Sequence, residues 1–531
     1  MLSRLSMTVK PLRANSAVVL LVFAFCSIQL LLVWSGGVNG VFNSPDENAN
    51  FHFALRVYEG LPFGIPSSGD GSQASDFLFS RSTRLFNGSL VPASFIGYAL
   101  FVGLLSKVLF VNIIPFVTIF FAGAGLYAFY ILLRRIFDEQ IACLATFLLA
   151  IHPAWWYYTN ASLFPNVLCI SLLLIGFSLL LNEKIILTGR DSAAMLCIAI
   201  ALIVRTSEAI WVLPTLMIFI FVNRKASHWP SLALASLPSI VLLFLFFVFA
   251  REQTGTASGS GYVLNTSEPS APAAFIRYML PFGFHPKLIV RNVLNFAGWL
   301  FVPFTAISFL GLYAVFVSRN AREKTFVMIW LAISVTLFIF YGSWDVRDTV
   351  SALGATIGAS FVRYFLPYYA LSAAITAVGI RFIAERFRSR SFTSVSALVL
   401  SALFVYGVVQ FGFHSIESVH AKLRTVRHYD ATATWVNEHT RPESIFVTEY
   451  ADKYLWPGRS VITAIDHPGV FKSIRYFVHE SGRPVYFLSV TLDDAKFISF
   501  QKRLRLDSLA LADPIFTAAD VSIYPFIKAY P

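Results

Sequence analysis

The stretch Ser44-Pro45-Asp46-Glu47-Asn48-Ala49-Asn50-Phe51-His52-Phe53 places two adjacent carboxylates and an imidazole within seven positions. Groups of this kind take up and hand on protons, the work of a general acid or base. The same spacing also starts a helix. Ser44 and Glu47 match a capping box, and Pro45 stands at the first helical position. Phe51, Leu55 and Tyr58 then form an apolar stripe, and Gly60 stands where the helix should end. On that reading Asp46 and Glu47 are favourable charges at a helix N-terminus.

The elements that must position this motif are membrane spans. Of the 531 residues, 56% are hydrophobic and only 13% are charged, too little charged surface to cover a water-soluble chain of this size. Disorder, a collagen-like chain and a disulfide scaffold are excluded by the same numbers. The four cysteines, Cys26, Cys143, Cys169 and Cys197, all lie inside apolar runs and read as small buried hydrophobes. Apolar runs at 17–34, 113–133, 140–153, 166–181, 192–206, 209–222, 231–250, 293–317, 325–342, 363–380 and 393–413 predict an α-helical polytopic membrane protein of eleven spans. The runs 192–206 and 209–222 read as two short helices meeting near Arg205–Glu208.

The net charge of +12 is orientation information, with no nucleic-acid partner implied. Arg4, Lys10 and Arg13, Arg134/Arg135, Lys184/Arg190, Arg224/Lys225, Arg319/Arg322/Lys324 and Arg381/Arg386/Arg388/Arg390 fall on one side, which is then cytoplasmic. The loop 35–112, the later loops 154–165, 251–292 and 343–362, and the tail fall on the other. The apolar run 90–110 breaks this parity if it spans, so it reads as an interfacial or re-entrant helix on the outer face; twelve spans is the competing count. Residues 1–413 thus form the membrane domain. The more polar tail 414–531 reads as a small soluble α/β domain on the outer face, with a helix at 429–439, strands at 444–448, 460–465 and 484–490, and a helix at 493–504.

Ionisable residues are nearly absent from the spans, apart from Arg205 and Glu208 near the outer surface. A coupled transporter needs intramembrane relays, so the dry spans count against transport. Charges gather in the outer loops instead: Asp46, Glu47, His52, Arg56, Asp70, Asp76, Arg81, Arg84, Asp345, Arg347, Asp348 and Arg363. Polar groups concentrated at one interface suit an enzyme acting on a lipid-linked substrate. A flippase of lipid-linked glycans and a non-catalytic assembly protein are the alternatives from other classes. Asn87, Asn160 and Asn265 open N-x-[ST] sequons on outer loops.

A first span followed by an outer loop opening with Pro45-Asp46-Glu47 and an aromatic/His helix resembles the C-type glycosyltransferases, and within them the protein O-mannosyltransferases and lipid A aminoarabinose transferases. Pro92 opening the run 90–110, His152-Pro153 with Trp155-Trp156-Tyr157-Tyr158, Arg363-Tyr364 with Pro367, and Trp435-Val436-Asn437-Glu438 in the tail extend the resemblance over most of the chain.

The resemblance implies an integral plasma-membrane enzyme. It would move a hexosyl or pentosyl group from a polyprenyl-phosphate donor to a lipid, glycan or protein acceptor on the non-cytoplasmic side, with inversion. A lipid phosphate is a good leaving group, so no general acid is required, unlike glycoside hydrolysis. It implies Asp46 as the base, Glu47 or His52 as its orienting partner, and Arg84, Arg205 and Arg363 as phosphate ligands with Tyr364 beside them. An arginine snorkelling to the interface is the alternative for each. No cofactor is firmly implied. Loop 154–165 lacks the acidic residue many such enzymes carry, with Asn160 or Asn166 as the nearest polar substitutes, so a divalent metal finds no support.

Overall fold

A computed structural model describes residues 14–36, 40–69, 71–181, 189–223, 229–255, 280–345, 354–386, 392–465, 467, 469–490, 492, 494–518 and 521–529. Of the residues named above, Arg4, Lys10, Arg13, Asp70, Lys184, Arg224, Lys225, Asn265, Arg347, Asp348, Arg388 and Arg390 lie outside them.

Each of the eleven apolar runs folds into helix. Among the described residues seven helices are long and apolar enough to cross a membrane, and two bent helix pairs bring the number to nine. The chain is an integral membrane protein. One bent pair, Glu139–Ile151 and Pro153–Asn160, turns by 53° at His152, because Pro153 cannot continue the preceding hydrogen-bond ladder. The other, Gly189–Val204 and Thr206–Val222, turns by 116° at Arg205, where the sequence reading put the meeting of two short helices.

The run 90–110 forms no long span. Ser89–Pro92 is a strand, and the helix Ile96–Val108 has 13 residues, a rise of about 20 Å against the ~30 Å of a bilayer core. Two glycines let this short helix sit between neighbours. A Cβ on Gly97 would collide with the Ile203 carbonyl, and one on Gly103 would press on the Ala54 carbonyl and Val57. Elsewhere, Gly311 and Gly379 bring the helices Val302–Val317 and Leu366–Arg386 into backbone contact, the small-residue packing that membrane helices favour.

In the loop 35–112, β1 (Ile65–Pro66), β2 (Thr83–Phe86) and β3 (Ser89–Pro92) make an antiparallel sheet. Asn87 and Gly88, at φ 48° and 74°, turn the β2–β3 hairpin, and both conformations suit the residue types. The Asn87 sequon is therefore accounted for by turn chemistry. Asn160 is buried, out of reach of a glycan.

The tail contributes β4 (Ile445–Thr448), β5 (Ser460–Ile462), β6 (Val485–Val490), β7 (Leu509–Leu511), β8 (Phe516–Ala518) and β9 (Val521–Lys528). Their order is β5-β4-β6-β9-β7, with β8 also on β9; β4, β5 and β6 are parallel and β9 runs against β6. The helix expected at 429–439 begins ten residues earlier, at Val419, where the Ser418 hydroxyl caps it by accepting from the Ala421 N–H at 3.2 Å. The helix at 493–504 is Asp494–Arg505.

Outer loop and tail share a core. Leu78 is buried among Ile445, Val447, Ile462 and Val470 of the tail, and Phe79 bridges to Ile462 at the β5 edge. The Arg81 guanidinium grips the buried Asp452 carboxylate at 2.7 and 3.0 Å. The Asn48 amide donates to the Trp456 carbonyl at 2.6 Å, tying the motif helix to the tail.

Candidate active site

The helix Pro45–Glu59 starts as the capping signature dictates. Ser44 is extended, at φ −125° and ψ 143°, and its hydroxyl accepts from the Asp46 N–H at 3.2 Å; Gly60 closes the helix at φ 74°. The cap does not use Glu47, whose carboxylate turns instead to the Lys422 ammonium at 3.7 Å. The cap fixes where Asp46 leaves the backbone, so the structural and the chemical readings of this motif are compatible.

Asp46 is held from two sides. Its Oδ1 accepts from the Ser82 hydroxyl at 2.6 Å, and its Oδ2 faces Arg363 Nη1 at 3.1 Å. The Asp46 and Arg363 side chains are 17% and 13% exposed, enough for a ligand to reach them. The Arg363 guanidinium also donates to the Ser360 hydroxyl at 3.2 Å and lies 4.5 Å over the Phe164 ring. The Asn166 amide donates to the Arg363 carbonyl at 2.9 Å, so the second outer loop does its positioning with an amide rather than an acid.

These groups line an open polar cleft, together with Glu47, Arg81, Tyr157, Tyr158, Glu417, Lys422, Tyr450 and Lys453. Burial pushes the Glu47 carboxyl up, while the Lys422 ammonium draws it back without cancelling the effect. An apolar groove adjoins the cleft, lined by residues such as Leu32, Ile151, Trp156, Phe404, Phe411 and Leu423; Tyr157 belongs to both.

Four residues read as site candidates stand elsewhere. His52 packs edge-on against Phe51 and Trp456, and burial pushes its imidazole down to about 4, so it is neutral and away from the cleft lining. Arg84, on β2, donates to the Thr254 carbonyl and covers the Phe86 ring. Arg205 is buried at the 116° break. It binds Glu208 at 2.5 Å and the Tyr341 hydroxyl at 2.8 Å, while Tyr341 and Trp211 both donate to Glu208. Tyr364 stacks on Tyr341 and lies between the guanidinia of Arg205 and Arg363, at 5.2 and 5.3 Å. The structure thus brings Asp46, Glu47 and Arg363 together and commits Arg205 to a separate buried ion pair.

Glu417, Lys422, Tyr450 and Lys453 went unread because they belong to the tail. One signal was available. Lys422 shares the stripe of Val419, Val426 and Ala433 on the helix Val419–His439, and a lysine on a buried stripe needs a partner.

The described residues hold no group of three or more metal-ligating side chains. The Asp46 and Glu47 carboxylates each already face a cation, so this donor set does not fit a divalent metal.

No protein-family model and no curated protein matches the chain. Solved structures do. ArnT from Cupriavidus metallidurans bound to undecaprenyl phosphate is 12% identical over 95% of this chain and 97% of that one, with a TM-score of 0.56. The apo state of the same protein gives 11% identity over the same shares and a TM-score of 0.55. The apo Archaeoglobus fulgidus oligosaccharyltransferase gives 12% identity over 91% of this chain and 70% of that one, with a TM-score of 0.52. The chain has the fold of these membrane transferases, and the resemblance to the C-type glycosyltransferases read in the sequence holds at the level of the fold.

Proposed function

We propose that the protein transfers a sugar from a polyprenyl-phosphate carrier to an acceptor hydroxyl or amine on the non-cytoplasmic face of the plasma membrane, with inversion. The observation that carries this reading is the Asp46–Arg363 pair, a proton acceptor beside a phosphate-binding group at the wall of a polar cleft. The adjoining apolar groove suits the donor's lipid chain. The fold shared with a protein crystallised with undecaprenyl phosphate supports the same donor class.

In the reaction the acceptor oxygen or nitrogen forms a bond to the anomeric carbon, the bond from that carbon to the phosphate oxygen breaks, and the acceptor's proton passes to Asp46. The lipid phosphate departs with the bonding pair, and Arg363 receives its growing charge. Arg363 is held by Asp46 before the donor arrives. A phosphate drawing on the guanidinium loosens that pair and frees the Asp46 carboxylate for the acceptor's proton, so donor binding primes the base. Ser82 keeps Asp46 in place while this happens.

With eleven crossings the loop 35–112 and the tail 414–531 lie on one side of the membrane, a placement that the Arg81–Asp452 bond between them supports. Labelling Ser72→Cys and Ser481→Cys in a cysteine-free background with an impermeant thiol reagent tests this. Both should label from outside the cell; labelling from opposite sides would overturn the topology. Donor use itself is tested by incubating the purified protein with labelled polyprenyl-phosphate sugars and following loss of the lipid-linked sugar.

A further inference from the structure

The cleft is lined by four cations from three parts of the chain: Arg81, Arg363, Lys422 and Lys453. Three of them face carboxylates: Arg81 meets Asp452, Arg363 meets Asp46 and Lys422 meets Glu47. Among the described residues no carboxylate lies within ion-pair distance of Lys453. Its ammonium instead sits 4.3 Å from the centre of the Tyr429 ring, and Tyr429 is stacked on Tyr454 at 4.7 Å.

This position is rigid. The short helix Asp452–Leu455 is pinned through Asp452 to Arg81 and, one residue beyond its end, through the Trp456 carbonyl to Asn48. Lys453 therefore leaves the backbone at a fixed point of the cleft wall, where it is half-buried. A half-buried ammonium with no carboxylate at bonding distance is poorly compensated, and its burial shows in its titration. Desolvation, then the nearby Arg81, push the ammonium down to about 8, although Asp452, Glu47 and Glu417 pull the other way. Beyond the Tyr429 ring, what the ammonium can reach is the open cleft that it lines.

We propose that Lys453 is a phosphate ligand for the donor, its ammonium bonding a non-bridging oxygen of the lipid-linked phosphate that Arg363 also receives. This rests on the sugar-transfer reading and gives the tail a direct part in it: the tail carries a group that touches substrate. The phosphate changes from a diester with one charge to a monoester with up to two as the sugar leaves, so the bond strengthens during transfer. Arg363 alone is divided between Asp46 and the phosphate, and Lys453 relieves it.

The test measures binding of sugar-free polyprenyl phosphate to full-length protein in detergent, with the parent polyprenol and inorganic phosphate as controls. Lys453→Met, which keeps the length of the stem and removes the charge, should bind polyprenyl phosphate about 10–100-fold more weakly, the loss expected for a charge-assisted hydrogen bond. Lys453→Arg should retain most of the affinity, and binding of polyprenol should be the same in all three proteins.

A second readout needs no variant. Acetylation of Lys453 near pH 8, followed by mass spectrometry, should be suppressed by polyprenyl phosphate and unaffected by polyprenol. Wild-type affinity retained in Lys453→Met, or labelling unchanged by polyprenyl phosphate, would overturn the assignment and leave the sugar-transfer reading standing. Protection by inorganic phosphate at equal concentration would overturn the lipid-linked source. Failure of the wild type to bind polyprenyl phosphate would overturn the reading and the assignment together.

Discussion

Asp46 and Arg363 are 317 residues apart in the chain and 3.1 Å apart in the fold. One opens the first outer helix, and the other lies on Ser360–Tyr364, the short helix before the Leu366–Arg386 span. Their pairing joins a proton acceptor to the group that would receive the leaving phosphate, so each perturbs what the other can do.

Arg363→Ala should weaken polyprenyl-phosphate binding by about 1.5–3 kcal/mol, the range for a lost charge-assisted hydrogen bond. Arg363→Lys should recover part of it, since an ammonium cannot bind phosphate in a fork. Equilibrium binding of the lipid phosphate in one detergent checks both. Unchanged affinity in Arg363→Ala would remove this residue from the donor site.

Asp46→Asn nearly preserves shape, but the amide cannot take the acceptor's proton. Turnover should fall roughly 10²–10⁴-fold while donor binding survives. The paired control is Ser44→Ala, which removes the side-chain cap at a cost of about 0.5–2 kcal/mol and leaves both carboxylates. An active Asp46→Asn protein, or a Ser44→Ala protein that is equally inactive at full folding, would return the motif to a purely structural role.

Arg205→Met should act on the fold rather than on the donor. It leaves Glu208 buried without its cation, which costs about 3–5 kcal/mol. Adding Glu208→Gln should recover much of that loss. Thermal unfolding of the single and double variants in detergent gives the answer. Weakened donor binding in the folded double variant would make Arg205 a phosphate ligand after all.

Acid should destabilise the packing of the loop 35–112 on the tail through His52. Burial holds its folded-state imidazole at about 4, below the ~6.5 of an unfolded chain. The unfolded state then takes up the proton first, so stability is full above about pH 6.5 and is lost as pH falls from there toward 4. At 1.36 kcal/mol per unit, about 1–2 kcal/mol should be gone by pH 5. His52→Phe, which keeps an aromatic edge against Trp456, should flatten this part of the melting-temperature profile. A profile identical to wild type would show that His52 titrates freely.

The spans and the motif helix were readable because both are local. An apolar run of about twenty residues is a helix in lipid whatever surrounds it, and Ser44, Pro45 and Gly60 punctuate a helix by backbone chemistry alone. What the sequence hid is long-range pairing. Nothing near Arg205 says that Tyr341 will reach it, and nothing near Arg363 says that Asp46 will meet it.

The tail illustrates the same limit. Its strands were visible as short apolar stretches, but Lys422 and Lys453 acquire meaning only when the outer loop docks through Arg81, Leu78 and Asn48. Reading 414–531 as a separate unit hid residues that line the cleft.

The most direct measurement is transfer itself. Purified wild type and Asp46→Asn are each given radiolabelled polyprenyl-phosphate sugars and a crude acceptor fraction from the host envelope, and both the labelled acceptor and the freed polyprenyl phosphate are followed. The proposed function requires that wild type release polyprenyl phosphate in step with acceptor labelling and that Asp46→Asn bind the donor with transfer roughly 10²–10⁴-fold slower. Failure of wild type to consume any polyprenyl-phosphate sugar, or equal transfer by both proteins, would contradict it.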